Sequence, residues 1–196
     1  MKVKQNFPRG RVAFFATSNI HKFNEARCVL AEYKIATCLL RIKALEIQDN
    51  NIENIAKASV LDIVNKYGLP VMVEDTGLFI EALNGFPGPY SSYVYKTIGN
   101  QGILQLMRKV EMWDAYFHSV VSFCMLNEKP KFFHGRVRGK ISHKECGNLG
   151  FGFDPIFQPL GGEGKTFAEM TTKQKSKYSH RARAFRKFAR WYTSTI

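Results

Sequence analysis

Apolar positions along this chain change period several times, from the two-residue repeat of a strand to the 3.6-residue repeat of a helix. Residues 11–18 are rich in strand formers and end in small polar residues. Phe23, Ala26, Leu30 and Tyr33 then line one face of a predicted helix over 21–33, and residues 35–40 read as a second strand. Ile52, Ile55, Ala56, Ile63, Val64 and Tyr67 mark another amphipathic helix, which Gly68 and Pro70 stop. Residues 71–73 read as a short buried strand closing on Glu74 and Asp75. Two Pro and two Gly make 84–90 a loop, and 98–110 reads as helix. Residues 116–126 and 131–141 form a predicted hairpin through a turn at 127–130. A Gly/Pro-rich loop over 147–164 precedes a basic helix over 178–192. Strands alternating with helices, then a hairpin, predict an α/β fold: an elongated mixed β-sheet flanked by helices. No repeat, low-complexity tract or linker divides the chain, so two lobes around a cleft form one unit over 11–196, preceded by an N-terminal extension at 1–10.

Composition narrows the class. The 196 residues are 45% hydrophobic, 13% aromatic and 23% charged, which is enough apolar material for a core and excludes general disorder. No apolar run approaches the ~20 residues that span a bilayer. The basic start lacks an apolar secretory region, so a cytoplasmic protein is expected, with no membrane partner. Cys28, Cys38, Cys124 and Cys146 form no C-x-x-C pair and read as scattered buried thiols. The net charge of +13 is uneven: residues 1–11 carry four basic residues and no acid, and residues 173–196 carry eight and no acid. The body between them is nearly neutral. Such a local basic surface suits an anionic small molecule or a nucleic acid equally well.

Four constellations carry candidate chemistry. The turn Thr17, Ser18, Asn19, Ile20, His21, Lys22 joins a strand to a helix, where backbone N–H groups, the helix dipole and Lys22 can hold a phosphate. Alternatively, Ser18 or Asn19 simply caps the helix and Lys22 is solvated. Glu74 and Asp75 at the end of a buried strand suit Mg²⁺, with Glu46 as a second ligand. Their plain reading is a solvated pair closing a turn, and a surface acid. Phe151, Gly152, Phe153 and Asp154 set two aromatics and an acid in a tight loop, able to stack on a base and accept from a ring N–H, or merely to anchor the loop in the core. Lys175, Ser179, His180 and Arg181 gather donors at the last helix, or form a solvated basic face. Gly164-Lys165-Thr166 is rejected as a phosphate loop, because the required first glycine falls on Pro159 and no strand precedes it. His118, His134 and His143 lack metal-ligand spacing, and Arg136, Arg138 and Lys140 alternate as one solvated strand face.

Taken in order, these segments resemble the inosine triphosphate pyrophosphatase family. The matching pieces are Thr17-x-Asn19-x-x-Lys22 with Glu25, Glu46-Ile47-Gln48, Glu74 to Leu78, Gly85 to Ser92, Gly150 to Phe157, Thr166 to Met170, and Ser179-His180-Arg181. The resemblance spans about residues 11–192. It implies Mg²⁺-dependent hydrolysis of ITP, dITP and XTP to the monophosphate and pyrophosphate, two lobes around a cleft, and a homodimer without a specific nucleic-acid partner. By position, Asp75 matches the catalytic acid and a metal ligand, and Glu46 the other metal position. Thr17 to Lys22 match the phosphate-side loop and Thr76 a further substrate contact. Phe151 to Asp154, Lys175, His180 and Arg181 match the base-binding set. The chain departs from the common pattern at His21 (often glycine), Phe153 (often tyrosine) and Gln174 (often an acid).

The implied chemistry is consistent with these residue types. Water attacks the α-phosphorus in line with the pyrophosphate leaving group, so positioning and charge neutralisation dominate. Hypoxanthine and xanthine present a 6-oxo acceptor and an N1–H donor. A pocket in which His180 and Arg181 donate to O6 and Asp154 accepts from N1–H therefore rejects adenine on both edges, by roughly 10⁴-fold where buried polar groups are left unpaired. Guanine shares both features, so its exclusion falls to the surroundings of C2.

Overall fold

The computed structural model describes residues 11–195. The expected extension at 1–10 lies outside the described residues. Strand β1 (Val12–Ala16) feeds helix α1 (Ile20–Ala31), which returns to β2 (Ala36–Leu40), and β1 and β2 pair in parallel. Helix α2 (Ile52–Tyr67) crosses to β3 (Val71–Ile80), which meets β1 in parallel at a single position, Phe15 with Met72. A two-residue strand β4 (Pro87–Gly88), following a cis Phe86–Pro87 bond, closes against β3. Helices α3 (Ser91–Thr97) and α4 (Gly99–Met107) lead to the hairpin β5 (Asp114–Cys124) and β6 (Lys131–Ile141), and β7 (Phe157–Pro159) adds to β6. Short α5 (Thr172–Lys175) precedes α6 (His180–Thr195). The strand order is β2-β1-β3-β5-β6-β7, with β4 beside β3: a mixed seven-stranded sheet with flanking helices, as expected.

Three departures have local causes. Residues 71–73 do not end a strand at Glu74; β3 runs ten residues because the strand formers Thr76, Leu78, Phe79 and Ile80 continue the pattern and β5 pairs with every position. The helix expected over 98–110 is α4, ending at Met107, but it is preceded by the unexpected α3 over Ser91–Thr97, and Gly99 at φ +62 redirects the chain between the two. The cysteines are all free but only Cys124 is buried; Cys28 lies one step off the α1 face that buries Ala26, Val29 and Leu30.

Each sheet face has its own cover. Helices α1 and α6 pack Val29, Leu30, Phe185 and Phe188 against Phe15, Met72 and Phe123. On the opposite face, α2 packs Ala56, Val60 and Ile63 against Val71, Val73 and Val120. The far halves of β3, β5 and β6 belong to a further cluster, where Leu78, Ile80, Phe117 and Val137 meet Ile103, Met107, Phe157 and Phe167. Three contacts tie α6 to β6. A Cβ on Gly135 would stand 2.0 Å from the His180 carbonyl oxygen and 2.6 Å from Ala184 N, so only glycine lets the helix start this close. Further along, Lys187 Nζ donates to the His134 carbonyl at 2.7 Å and Arg183 Nη1 to that of Arg136 at 2.8 Å, while Leu160 N donates to that of Arg138 at 2.9 Å. Among the described residues no helix is long and apolar enough to cross a membrane.

Candidate functional site

The turn after β1 is held by its own side chains. Thr17 Oγ1 accepts from Asn19 N at 3.1 Å, and Asn19 Oδ1 accepts from His21 N at 2.9 Å and Lys22 N at 3.2 Å, so Asn19 caps α1. Ser18 and Ile20 are exposed beside it. Lys22 is not a solvated charge. Because β1 leaves β3 after Met72, the Glu74 carbonyl lacks a strand partner on that side, and Lys22 Nζ donates to it at 3.0 Å while pairing with Glu74 Oε2 at 3.0 Å.

From Lys22 a chain of ion pairs runs inward. Alternation along β3 puts Glu74 and Thr76 on one face and Asp75 on the other. The Glu74 side chain is fully buried; its Oε1 accepts from Ser119 Oγ at 2.5 Å, from Thr76 Oγ1, and from Arg181 Nε at 3.1 Å. Arg181, at 2% exposure, also donates to Glu25 Oε2 at 2.8 Å and Thr76 Oγ1 at 3.3 Å. Lys175, at 3% exposure, joins Glu25 Oε1 and Asp154 Oδ2, both at 2.7 Å. Three cations and three carboxylates thus alternate from Lys22 to Asp154. Burial alone would raise Glu74, but the Arg181 and Lys22 charges hold it well below the usual carboxylate range. Glu25 is lowered likewise, Arg181 and Lys175 outweighing burial. Buried charges of this kind persist only when paired.

Asp75 is the exception. Burial pushes it up to about 6; Glu74 and Glu46 push the same way, and Lys22 opposes them. Glu46, exposed between β2 and α2, is therefore near enough to feel Asp75. Two hard carboxylates without a cation of their own suit Mg²⁺, which needs one or two protein ligands and takes phosphate and water oxygens for the rest. Among the described residues no group of three His, Cys, Asp or Glu forms a cage of purely protein ligands.

The base-side residues come together around α6. Asp154 Oδ2 accepts from Phe151 N at 2.8 Å, and burial raises its carboxyl against the pull of Lys175. Gly152, at φ +62, turns the loop so that Phe153 is buried edge-on to Tyr95. His180 is 2% exposed and stacked on Phe117 with centroids 4.5 Å apart; neither ring nitrogen has a protein partner. Burial, with Arg181 and Lys175 nearby, pushes it well below the ordinary imidazole range, so it is neutral, with one N–H and one acceptor unused. An orphaned imidazole at this depth points to a ligand. Gln174 has a structural role: it completes a capping box with Thr171 at the start of α5, a task an acid performs equally well.

Sequence reasoning left Glu25, Ser119 and Phe117 without roles and read Glu74 with Asp75 as suited to Mg²⁺, whereas the fold turns Glu74 inward and commits it to Lys22 and Arg181. Glu25 carries a legible signal, since it stands one helical turn after Lys22. Ser119 and Phe117 sit in an ordinary strand pattern, and nothing in it marks them. Residues also expected to be silent met elsewhere: His118 Nε2 lies 3.1 Å from His134 Nδ1, and His134 Nε2 lies 2.8 Å from Glu53. Part of the basic carboxyl-terminal run is committed within the protein: Lys175 and Arg181 are buried, Arg186 pairs with Glu32, and Arg183 and Lys187 hold β6, though these last two are exposed together with Lys173, Lys177 and Arg190.

The Ham1 family profile matches residues 13–191. The chain is 47% identical over 182 residues to the dITP/XTP pyrophosphatase of Methanopyrus kandleri, covering 93% of this chain and 96% of that one. It is 45% identical over 182 residues to the protein of the same name from Thermococcus kodakarensis, with 93% and 97% covered. A solved HAM1 protein from Coxiella burnetii superposes with a TM-score of 0.83 at 26% identity, covering 94% of this chain and 99% of that one. A profile match over nearly the whole chain, and close relatives matched end to end, place one conclusion beyond the fold: the chain belongs to the Ham1 family.

Proposed function

We propose that this protein hydrolyses deaminated purine nucleoside triphosphates (dITP, XTP and ITP) to the monophosphate and pyrophosphate, keeping them out of nucleic acid. The names of the relatives support the reaction class. The observation that carries the reading is the ion-pair chain, which runs from Lys22, next to Asp75, to Asp154 on the base side, with the unpartnered His180 beside Arg181.

On this reading Lys22 binds the polyphosphate, and Asp75 orients or deprotonates the attacking water. Glu46 and Asp75 would hold Mg²⁺, which when bound neutralises phosphate charge and lowers the pKa of a coordinated water. Neutral His180 donates its N–H to O6, and Arg181 has two N–H bonds free beyond the three it uses. Asp154 keeps Oδ1 as the acceptor for N1–H. Its Oδ2 is tied to Phe151 and Lys175, so the carboxylate is held in orientation before a base arrives. Adenine offers an amino group to Arg181 and a lone pair to Asp154, which fails at both of these contacts, while neutral His180 can donate to O6 or accept from an amino group.

A nucleotide panel tests the proposal. The protein with Mg²⁺ and inorganic pyrophosphatase should release phosphate from ITP, dITP and XTP far faster than from ATP. Equal rates on all four, or no pyrophosphate, would sink it. Omitting Mg²⁺ should abolish formation of the monophosphate, read directly by chromatography because the coupling pyrophosphatase itself needs the metal. A cytoplasmic homodimer is part of the same proposal; equilibrium sedimentation should return twice the 22.4 kDa of one chain.

A further inference from the structure

Phe151 is the aromatic best placed to stack on a base, yet its ring is already in use. The His21 imidazole stacks on it with centroids 5.2 Å apart and planes inclined by 19°. Lys175 Nζ and Arg181 Cζ also stand over the ring, 5.1 Å and 5.3 Å from its centroid. These neighbours differ in freedom. Both cations are buried and tied to carboxylates, so neither can leave. His21 is exposed in the first turn of α1, and among the described residues its ring makes no hydrogen bond; only its backbone N–H is engaged, by Asn19. The stack draws His21, expected on the phosphate side, over to the base side.

A cavity of about 290 Å³ lies between these elements, bounded by His21, Asn24, Glu25, Phe151, Thr171 and Lys175 among others. Two rings 5.2 Å apart leave no room for a third between them, because a base in contact with both needs them to stand roughly 7 Å apart. A purine can therefore reach that face of Phe151 only when the imidazole swings away.

We propose that His21 gates the base pocket: its ring occupies the place on Phe151 that a purine needs, and nucleotide binding displaces it. This rests on the reading of Phe151 as the base platform. Holding the free protein largely in the covered state lowers apparent affinity by the uncovered fraction. Aromatic pairs of this geometry bias such an equilibrium by roughly 2- to 10-fold. The gate acts on any purine nucleotide, and so sets affinity without choosing among bases.

Calorimetric titration with inosine monophosphate tests this without catalysis. His21→Ala should bind it roughly 2- to 10-fold more tightly than the unaltered protein, and His21→Phe no more tightly than the unaltered protein. A merely structural role for His21 predicts no gain of affinity. Weaker binding by His21→Ala would make His21 a holder of the base, and unchanged binding would place the stack outside its path; either overturns the gate. Phe151→Ala separates the two layers of the argument. If it weakens binding while His21→Ala does nothing, the gate alone fails. If it too leaves binding intact, the platform fails, and the gate with it.

Discussion

Gly135→Ala is a one-methyl change in β6, at a position that carries no side-chain chemistry, and it should nonetheless damage the base site. The added Cβ would lie 2.0 Å from the His180 carbonyl oxygen, 2.6 Å from Ala184 N and 3.0 Å from the His180 carbonyl carbon. All three are backbone atoms, so no side chain can rotate to relieve the contact. A normal carbon–oxygen approach is about 3.3 Å, which requires the start of α6 to move outward by roughly 1.3 Å. The same turn carries His180 and Arg181, and Arg181 holds Glu74 and Glu25. A displacement of about 1 Å in a positioning element costs on the order of 10²-fold in rate, and overpacking of this kind costs about 1–3 kcal/mol of stability. Urea unfolding should record the second effect. Steady-state hydrolysis of ITP and ATP should record the first, with the ratio between the two substrates falling because base recognition is what moves. A Gly135→Ala protein with native stability and an intact ITP-to-ATP ratio would refute the claim that β6 sets the position of the base-reading turn.

Other expectations concern single charges. Asp75→Asn keeps the shape but removes a charge and a proton acceptor, so turnover measured by pyrophosphate release should fall at least ~10²-fold. Lys175→Ala strands Glu25 and Asp154 without their shared cation, and urea unfolding should show a loss of about 3–5 kcal/mol; ITP binding should also weaken at high salt, where only short-range contacts survive. Glu25 is lowered from an ordinary value of 4.5, burial being outweighed by Arg181 and Lys175. A carboxylate depressed by folding contributes stability above its unfolded value and loses it as pH falls through the folded one. Glu25→Gln should therefore be destabilised near neutrality, and its stability should fall less steeply than that of the unaltered protein as pH drops below 4.5.

Much of this site was legible because it is local. Asn19, Glu74, Asp75, Phe151, Asp154 and Arg181 each sit in a short segment whose residue types announce chemistry, and the alternation of strand and helix predicts the sheet around them. What was not legible depends on pairing partners. Nothing in residues 71–80 alone tells a turn at Glu74 from a strand continuing to Ile80; β5, nearly forty residues later, decides it by pairing along the whole length. Lys175 and Arg181 look like a solvated basic face until Glu25 and Asp154 arrive from other parts of the chain to bury them. His21 stands in a phosphate-type turn by sequence and against an aromatic by structure, because the 147–164 loop folds back over α1. In each case a long-range partner overrides a sound local reading.

The row of bonds between α6 and β6 has a consequence for assembly. Among the described residues, β6 has no strand partner on its outer side before Gly139. An open row of strand carbonyls is a template on which another molecule can extend the sheet. Here the outward carbonyls of His134, Arg136 and Arg138 are already taken, by Lys187, Arg183 and the backbone of Leu160. Lys187 and Arg183 stand four residues apart on the helix, the spacing that puts both on one face above alternate residues of the strand. Part of the positive charge at the carboxyl terminus thus has a purpose independent of any anionic ligand: it stops the sheet from growing and so guards the protein against edge-to-edge aggregation.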